Sequence, residues 1–499
     1  MTNERDRNTG FFTVALYERN FGSEVSGDFT LPDYYAEIRR ILCVTPTVLP
    51  PAKYVGDSTA EFNGVVDYVV TYVGGDGEMY SIPLSSDYSF TVPLDKSVSG
   101  DIPEEVTALC SIGVDSVNTR VSAPRRLSIR CRIRPNVRVY AKIPTAISCD
   151  TEVSVASIHT RSVKGECLTC ESSTSDIISV AYIVPAPAED TRVVRADAYV
   201  DVTPVERTSA GLNCRGEVKI KLLTDREESG ELAALTGSIP FEGEIDLEKG
   251  MDDASTRVRG VISEMSVNVT EQGIECSVGV ILEAICSSNA EVEYTDDIYS
   301  TENECECTLK QINVKQLAAS ATGNFTLSER IPLSDTGLPE DADIIETVAA
   351  VSMDKCEVMG GKYTLGGTAA FTVIHRKDGE IFATEVSVPM KYEMDGSTGP
   401  SDGVVLDSVC HVRNVKVKTD GGNLCIDAEI GVSADCVSEQ TVSMVEKVTF
   451  GAPVAHSESE LIVCYPSPDD TLWSVAKRYK VAASNISGDP EKDRFVMIE

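Results

Sequence analysis

The clearest order in the chain is an alternation of apolar and polar positions. Glu61-Phe62-Asn63-Gly64 opens an alternating segment, Val65 to Tyr72, a turn ends at Gly77-Glu78, and a second segment runs through Val92. Alternation with period two places every other side chain on one face, the signature of a half-buried strand, so this region is expected to be an antiparallel hairpin. The pattern returns twice. Cys214-Arg215-Gly216 leads into Glu217 to Leu223, with a turn at Gly230-Glu231 and a second strand through Ile245. Leu365-Gly366-Gly367 leads into Thr368 to Ile374, and Lys377-Asp378-Gly379-Glu380 turns into Ile381 to Met394. Gly64, Gly216 and Gly367 are 152 and 151 residues apart. Self-similarity at a fixed period marks a repeat architecture.

A second hairpin is expected after each first one: Val106 to Val117 with Leu127 to Val137, Arg257 to Val269 with Ile274 to Leu282, and Val405 to Val417 with Leu424 to Val432. Cys131, Cys276 and Cys425 take equivalent places on the returning strands. The run Ser26-Gly27-Asp28-Phe29-Thr30-Leu31 reads like Thr322-Gly323-Asn324-Phe325-Thr326-Leu327. With runs of five to eight residues and eight or so strands per copy, the expected fold is mainly β: three tandem antiparallel repeats over 1–146, 147–300 and 301–456. A sandwich and a barrel both fit. Ser172 to Asp176, Pro185 to Asp190 and Ser457 to Glu460 are the candidate linkers or loops.

From Leu461 the pattern changes. Leu461 to Tyr465 predicts a strand, and Thr471 starts a helix with Leu472, Val475, Ala476 and Tyr479 on one face, capped by Asp470 or Thr471. A second short helix over Val481 to Ile486 and a strand over Arg494 to Ile498 complete a βααβ domain at 461–499.

Asp470-Thr471-Leu472-Trp473-Ser474-Val475-Ala476-Lys477-Arg478-Tyr479 resembles the opening of a LysM domain, Gly-Asp-Thr-Leu-Trp-x-Ile-Ala-x-x-Tyr. Asp469 stands where that family has glycine, and its Gly-Gln-x-Leu before the last strand is absent. The resemblance implies two binding loops for N-acetylglucosamine-containing glycan, here Asp470, Thr471 and Leu472 with Ile486, Ser487 and Gly488. Trp473 is either module core or an aromatic binding anchor. Three β-rich repeats before a terminal LysM domain are similar to the SPOCS-domain proteins of endospore-forming bacteria. That likeness implies a non-enzymatic scaffold or adaptor in spore coat assembly, placed in the mother-cell cytoplasm at the forespore surface. Its protein partner would be a coat-basement ATPase resembling SpoIVA, bound through the LysM domain. The alternative is a peptidoglycan- or chitin-type glycan-binding protein.

Charge sharpens this picture. With 44 Lys and Arg against 79 Asp and Glu, the formal net charge is −35, which repels nucleic acid and anionic membranes. The first ten residues lack an apolar signal core, and no apolar run is long enough to span a bilayer, so no membrane insertion is expected. The sixteen cysteines are expected as thiols, mostly small core residues. Chemistry has little to build on. His159, His375, His411 and His456 are scattered, and the glycines at 74, 75 and 77 form a turn rather than a phosphate loop. Cys167-Leu168-Thr169-Cys170 and Cys305-Glu306-Cys307 are the nearest approach to zinc spacing, a whole repeat apart. No catalytic residue, metal or cofactor is expected.

Overall fold

The computed structural model describes residues 10–95, 105–149, 157–184, 191–208, 211–226, 231–247, 255–359, 362–395, 404–454 and 461–498. Strands take 80% of it and helix 4%, so the chain is mainly β, in several antiparallel sheets. Among the described residues, no helix is long and apolar enough to cross a membrane. The candidate loops at 185–190 and 457–460 lie outside the described residues.

Up to residue 454 the strands form three pairs of sheets. In the first pair, β1 (Phe11–Asn20) and β2 (Ser23–Thr30) follow one another along one edge of β8 (Arg126–Pro144), and β7 (Val106–Ala123) lies along the other. Its second sheet has β5 (Thr59–Gly74) between β3 (Ile38–Val48) with β4 (Ala52–Val55) and β6 (Met79–Pro93). A two-residue strand, β9 (Ser148–Cys149), then pairs in parallel with the third pair of sheets. The second pair has β15 (Gly273–Ser300) between β10 (Ile158–Val184) and β14 (Ser255–Thr270), and β12 (Gly211–Arg226) between β11 (Thr191–Arg207) and β13 (Leu232–Asp246). The third has β21 (Asn423–Pro453) between β16 (Asn303–Pro332) and β20 (Val404–Asp420), and β18 (Lys362–Lys377) between β17 (Asp343–Met359) and β19 (Glu380–Asp395).

The pairing order is the same in all three, with the first strand returning to pair with the last. At the sides of each pair the edge strands of the two sheets run next to one another, as β11 does with β14 and β10 with β13. The inward faces of the central strands make the cores. Phe62, Tyr68 and Val70 share a cluster with Ile129, Cys131 and Ile133, and Leu212, Val218 and Ile220 with Cys276, Val278 and Val280. Phe371 and Val373 do the same with Ile426, Ala428 and Ile430. A single turn of helix, α1 (Leu333–Thr336), lies between β16 and β17.

Four expectations need correction. The strands are longer than the runs in the sequence, reaching 30 and 31 residues in β16 and β21. Their ladders continue through register shifts, where the inward phase changes and the alternating pattern breaks while the hydrogen bonding does not. Ser172–Asp176 is not a linker: it lies inside β10, opposite Ile281–Ile285 of β15, where pairing overrides a polar composition. The three cysteines do not occupy equivalent places: Cys131, Cys276 and Cys425 lie five, three and two residues past Arg126, Gly273 and Asn423, so the first two share only the inward phase and Cys425 is out of it. Leu424, Ile426 and Ala428 point into the core, and Cys425 sits between them opposite Lys418 and Arg330. Finally, the Gly-Asx-Phe-Thr-Leu runs are not in register. Leu31 N bonds Arg125 O (2.8 Å) as Leu333 N bonds Gly422 O (3.0 Å), so Phe29 matches Ile331 rather than Phe325, a displacement of six residues. An even displacement preserves the inward phase, so alternation could not detect it.

Gly64, Gly216 and Gly367 do occupy matching places on the central strands β5, β12 and β18. Each faces a break in the neighbouring strand: the gap between β3 and β4, the register shift at Val202/Val205, and the shift at Met353/Lys355. A Cβ at Gly216 or Gly367 would overlap the carbonyl oxygen of Asp201 or Ser352, and at Gly64 the Tyr88 hydroxyl. Glycine there admits a close backbone.

The three sheet pairs also meet one another. Near the start of β3, β11 and β17 each strand carries a bulge, at Ile41/Cys43, Val193/Arg195 and Ile344/Glu346. The skipped residues Leu42, Val194 and Ile345 come together with Met79, Leu232 and Ile381 in one apolar cluster. Beside it, buried Arg195 donates to Thr71 Oγ1 (2.6 Å), Thr45 Oγ1 (2.9 Å) and Asp197 (2.6 and 2.8 Å). Lys221 pairs with Glu346 (3.0 Å), and Arg39 with Glu380 (2.6 Å). A second junction joins the second and third pairs, where buried Arg257 meets buried Asp435 (3.0 Å) and Ser320 donates to the same carboxylate (2.8 Å).

Candidate partner-binding face of the C-terminal module

Residues 461–498 form a small module. β22 (Ile462–Cys464) and β23 (Ile486–Ser487) flank β24 (Val496–Ile498), all antiparallel, and α2 (Leu472–Tyr479) covers one side. Thr471 is the cap: its Oγ1 accepts from Ser474 N (3.2 Å) while Ser474 Oγ accepts from Thr471 N (2.9 Å). The helix ends at Lys480 in the left-handed conformation, with Val481 N donating to Ala476 O (3.1 Å). The second helix expected over Val481–Ile486 is only a 3₁₀ turn, Ala483–Asn485. Six residues repay helix nucleation poorly, and Ile486 is drawn into the ladder opposite Ile498.

The module is seated on the ends of β15 and β16. Tyr299 enters its core beside Cys464, Val475 and Val496 and donates its hydroxyl to Val481 O (2.7 Å). Trp473 packs edge-on to that ring at 5.0 Å and donates its indole N–H to Asp297 Oδ2 (2.8 Å). Lys477 reaches Asp297 Oδ1 (2.5 Å), and Lys480 pairs with Glu304 (3.2 Å). Burial pushes the Asp297 carboxyl up, but the bonds from Lys477 and Trp473 outweigh it and hold the group below the ordinary carboxylate range.

This geometry divides the residues singled out in the sequence. Asp470 is buried and occupied, accepting from Arg478, Ser474 Oγ (3.3 Å) and Ser467 N (2.8 Å). The Arg478 guanidinium holds its carboxyl low. Trp473 faces β15, neither within the module core alone nor out to solvent. Ile486 is buried. Thr471, Leu472 and Ser487 are exposed, and Gly488 sits at φ +109, in the region that favours glycine.

The sheet side opposite α2 was missed. Leu461, Val463, Tyr465, Phe495 and Met497 are 51, 48, 69, 48 and 38% exposed, while the intervening Cys464, Val496 and Ile498 are buried. Val463 lies directly opposite Met497, Ser487 adjoins Met497 on the other side, and the Tyr465 and Phe495 rings are 6.3 Å apart. The signal was present in Leu461-Ile462-Val463-Cys464-Tyr465, which is apolar at both parities. Such a strand needs a cover on each face, and the module supplies one.

The other candidates stay apart. Cys305 and Cys307 both donate to Ile298 O (3.8 and 3.6 Å), whereas Cys167 donates to Phe11 O (3.8 Å) and Cys170 lies against Ser287. Among the described residues, no group of three or more His, Cys, Asp or Glu side chains is placed to hold a metal ion. His159 stacks on Tyr299 (5.0 Å) and His375 bonds Thr384 (3.1 Å), and His456 lies outside the described residues. Comparison with known proteins finds no matching family model and no similar curated protein.

Proposed function

We propose that the chain is a non-enzymatic scaffold or adaptor in spore coat or envelope assembly, whose C-terminal LysM-like module docks a coat morphogenetic protein. On this reading the three sheet pairs are copies of one unit, the architecture resembles that of the spore-coat morphogenetic protein SipL, and the partner is a coat-basement ATPase. The observation that carries it is the module itself, anchored to the body through Tyr299, Trp473 and Lys477 on its helix side while its other side carries exposed apolar residues. Apolar surface kept in water on a small module marks a contact site. Asp470 and Trp473, expected as partner- or glycan-binding residues, are engaged with Arg478 and with β15, so the glycan-binding alternative rests on the exposed Thr471, Leu472 and Ser487.

The test is co-purification of the intact chain and of residues 1–456 from sporulating cells. Recovery of the ATPase by the intact chain alone is the expected result. Equal recovery by both removes the module from the docking role, and retention of the intact chain on purified cell wall without a protein partner favours the glycan reading.

A further inference from the structure

The outer face of the module sheet has a shape that narrows what can cover it. Leu461, Val463 and Tyr465, on β22 and its two flanking residues, span about 13 Å at the usual strand rise, and Met497 on β24 with the adjoining Phe495 widens the strip by one strand. Five side chains exposed to this extent present roughly a few hundred Å² of apolar surface, enough to be a functional patch but short of the roughly 800 Å² per partner of a standard interface. A strip of that length and width matches one α-helix about 10 Å across, presenting three side chains over about two and a half turns.

Charge and composition then separate the occupants. Residues 461–499 carry five basic and six acidic side chains, so the module is close to neutral on a chain of net charge −35. A second copy would bring an equally acidic body with it. Among the described residues it also has no free amphipathic helix to offer, since α1 is one turn and α2 is already packed on its own sheet. We infer that this face receives an amphipathic helix of a different protein, apolar at i, i+3 or i+4, and i+7, and basic on its polar side. The inference rests on the docking reading above and gives the partner's contact element a chemistry.

The experiment uses the full chain, wild type and Val463→Glu/Met497→Glu, with a labelled 18-residue Leu/Lys amphipathic peptide and its Leu/Glu counterpart, followed by fluorescence anisotropy at 0.15 M salt. Both substituted side chains are exposed, and an unchanged unfolding midpoint confirms that the variant folds. The expected result is binding of the Leu/Lys peptide that weakens at least tenfold in the variant, with the Leu/Glu peptide at least tenfold weaker on wild type. The two glutamates add negative charge, so nonspecific attraction of the lysines would strengthen instead. Equal or tighter binding by the variant overturns the proposal, as does self-association of the wild type that the variant abolishes, which would assign the face to a second copy. In the co-purification, loss of the ATPase on deleting the module but not in the double variant refutes this face and leaves the docking reading standing. Retention in both refutes the docking reading itself.

Discussion

The indole N–H of Trp473 donates to Asp297 Oδ2 at 2.8 Å, joining residues 176 apart in the chain. The same carboxylate takes Lys477, so one side chain at the end of β15 holds two turns of the module helix. Because Trp473 is the single tryptophan, its fluorescence reports on this seat alone.

The seat is acid-sensitive. The folded-state pKa of Asp297 lies below its unfolded value, so its contribution is complete above the unfolded value and is lost as pH falls through the folded one. Tryptophan emission should shift to the red below about pH 4. Asp297→Ala should show the shifted emission already at neutral pH, with a loss of about 2 kcal/mol from two charge-assisted bonds. Unchanged emission in the variant would show that the aromatic contact with Tyr299 holds the module without the carboxylate.

The matching glycines give a backbone test. Gly216→Ala and Gly367→Ala each push a methyl into a neighbouring strand's carbonyl and should cost about 1–3 kcal/mol in urea unfolding. Gly113→Ala is the control, since a Cβ there meets nothing within 4 Å. Equal midpoints for all three variants would refute the close approach.

At the second junction, Asp435→Ala removes the buried carboxylate that meets the Arg257 guanidinium. The expected loss is about 3–5 kcal/mol. Hydrogen exchange should rise in both β14 and β21, because the pair joins different sheet pairs. Exchange that rises in β21 alone would show that the pair does not couple them.

Burial also silences thiols, pushing the core Cys131 and Cys214 up to about 11 and the half-buried Cys410, packed against the third core, up to about 12. At pH 8 iodoacetamide should leave these three unmodified in the native chain and label them after unfolding in guanidinium, as read by peptide mapping. Native labelling of Cys131 at the unfolded rate would mean that the first core opens readily.

The hairpins were legible because their inward faces keep period two, and Phe62 to Val70 and Phe371 to Val373 read as strands for the reason that they are strands. Pairing between the first and last strands was not legible, since it links residues from 90 to 150 apart, and neither was the continuation of β10 through Ser172–Asp176. In the module, the helix cap at Thr471 follows from local chemistry. The seating of Trp473 on Asp297 does not, because nothing near either residue in the chain marks the other. The outer apolar face was in plain view as a run apolar at both parities, and only the placement of α2 on a single side showed that the second parity is left in water.

The cluster of Leu42, Val194 and Ile345 draws one residue from each sheet pair, so every pair touches both of the others. In an open stack an end member has a single neighbour, and its opening uncovers that neighbour alone. Here the opening of any one pair would strip apolar cover from two, so the three are expected to lose structure together rather than one at a time.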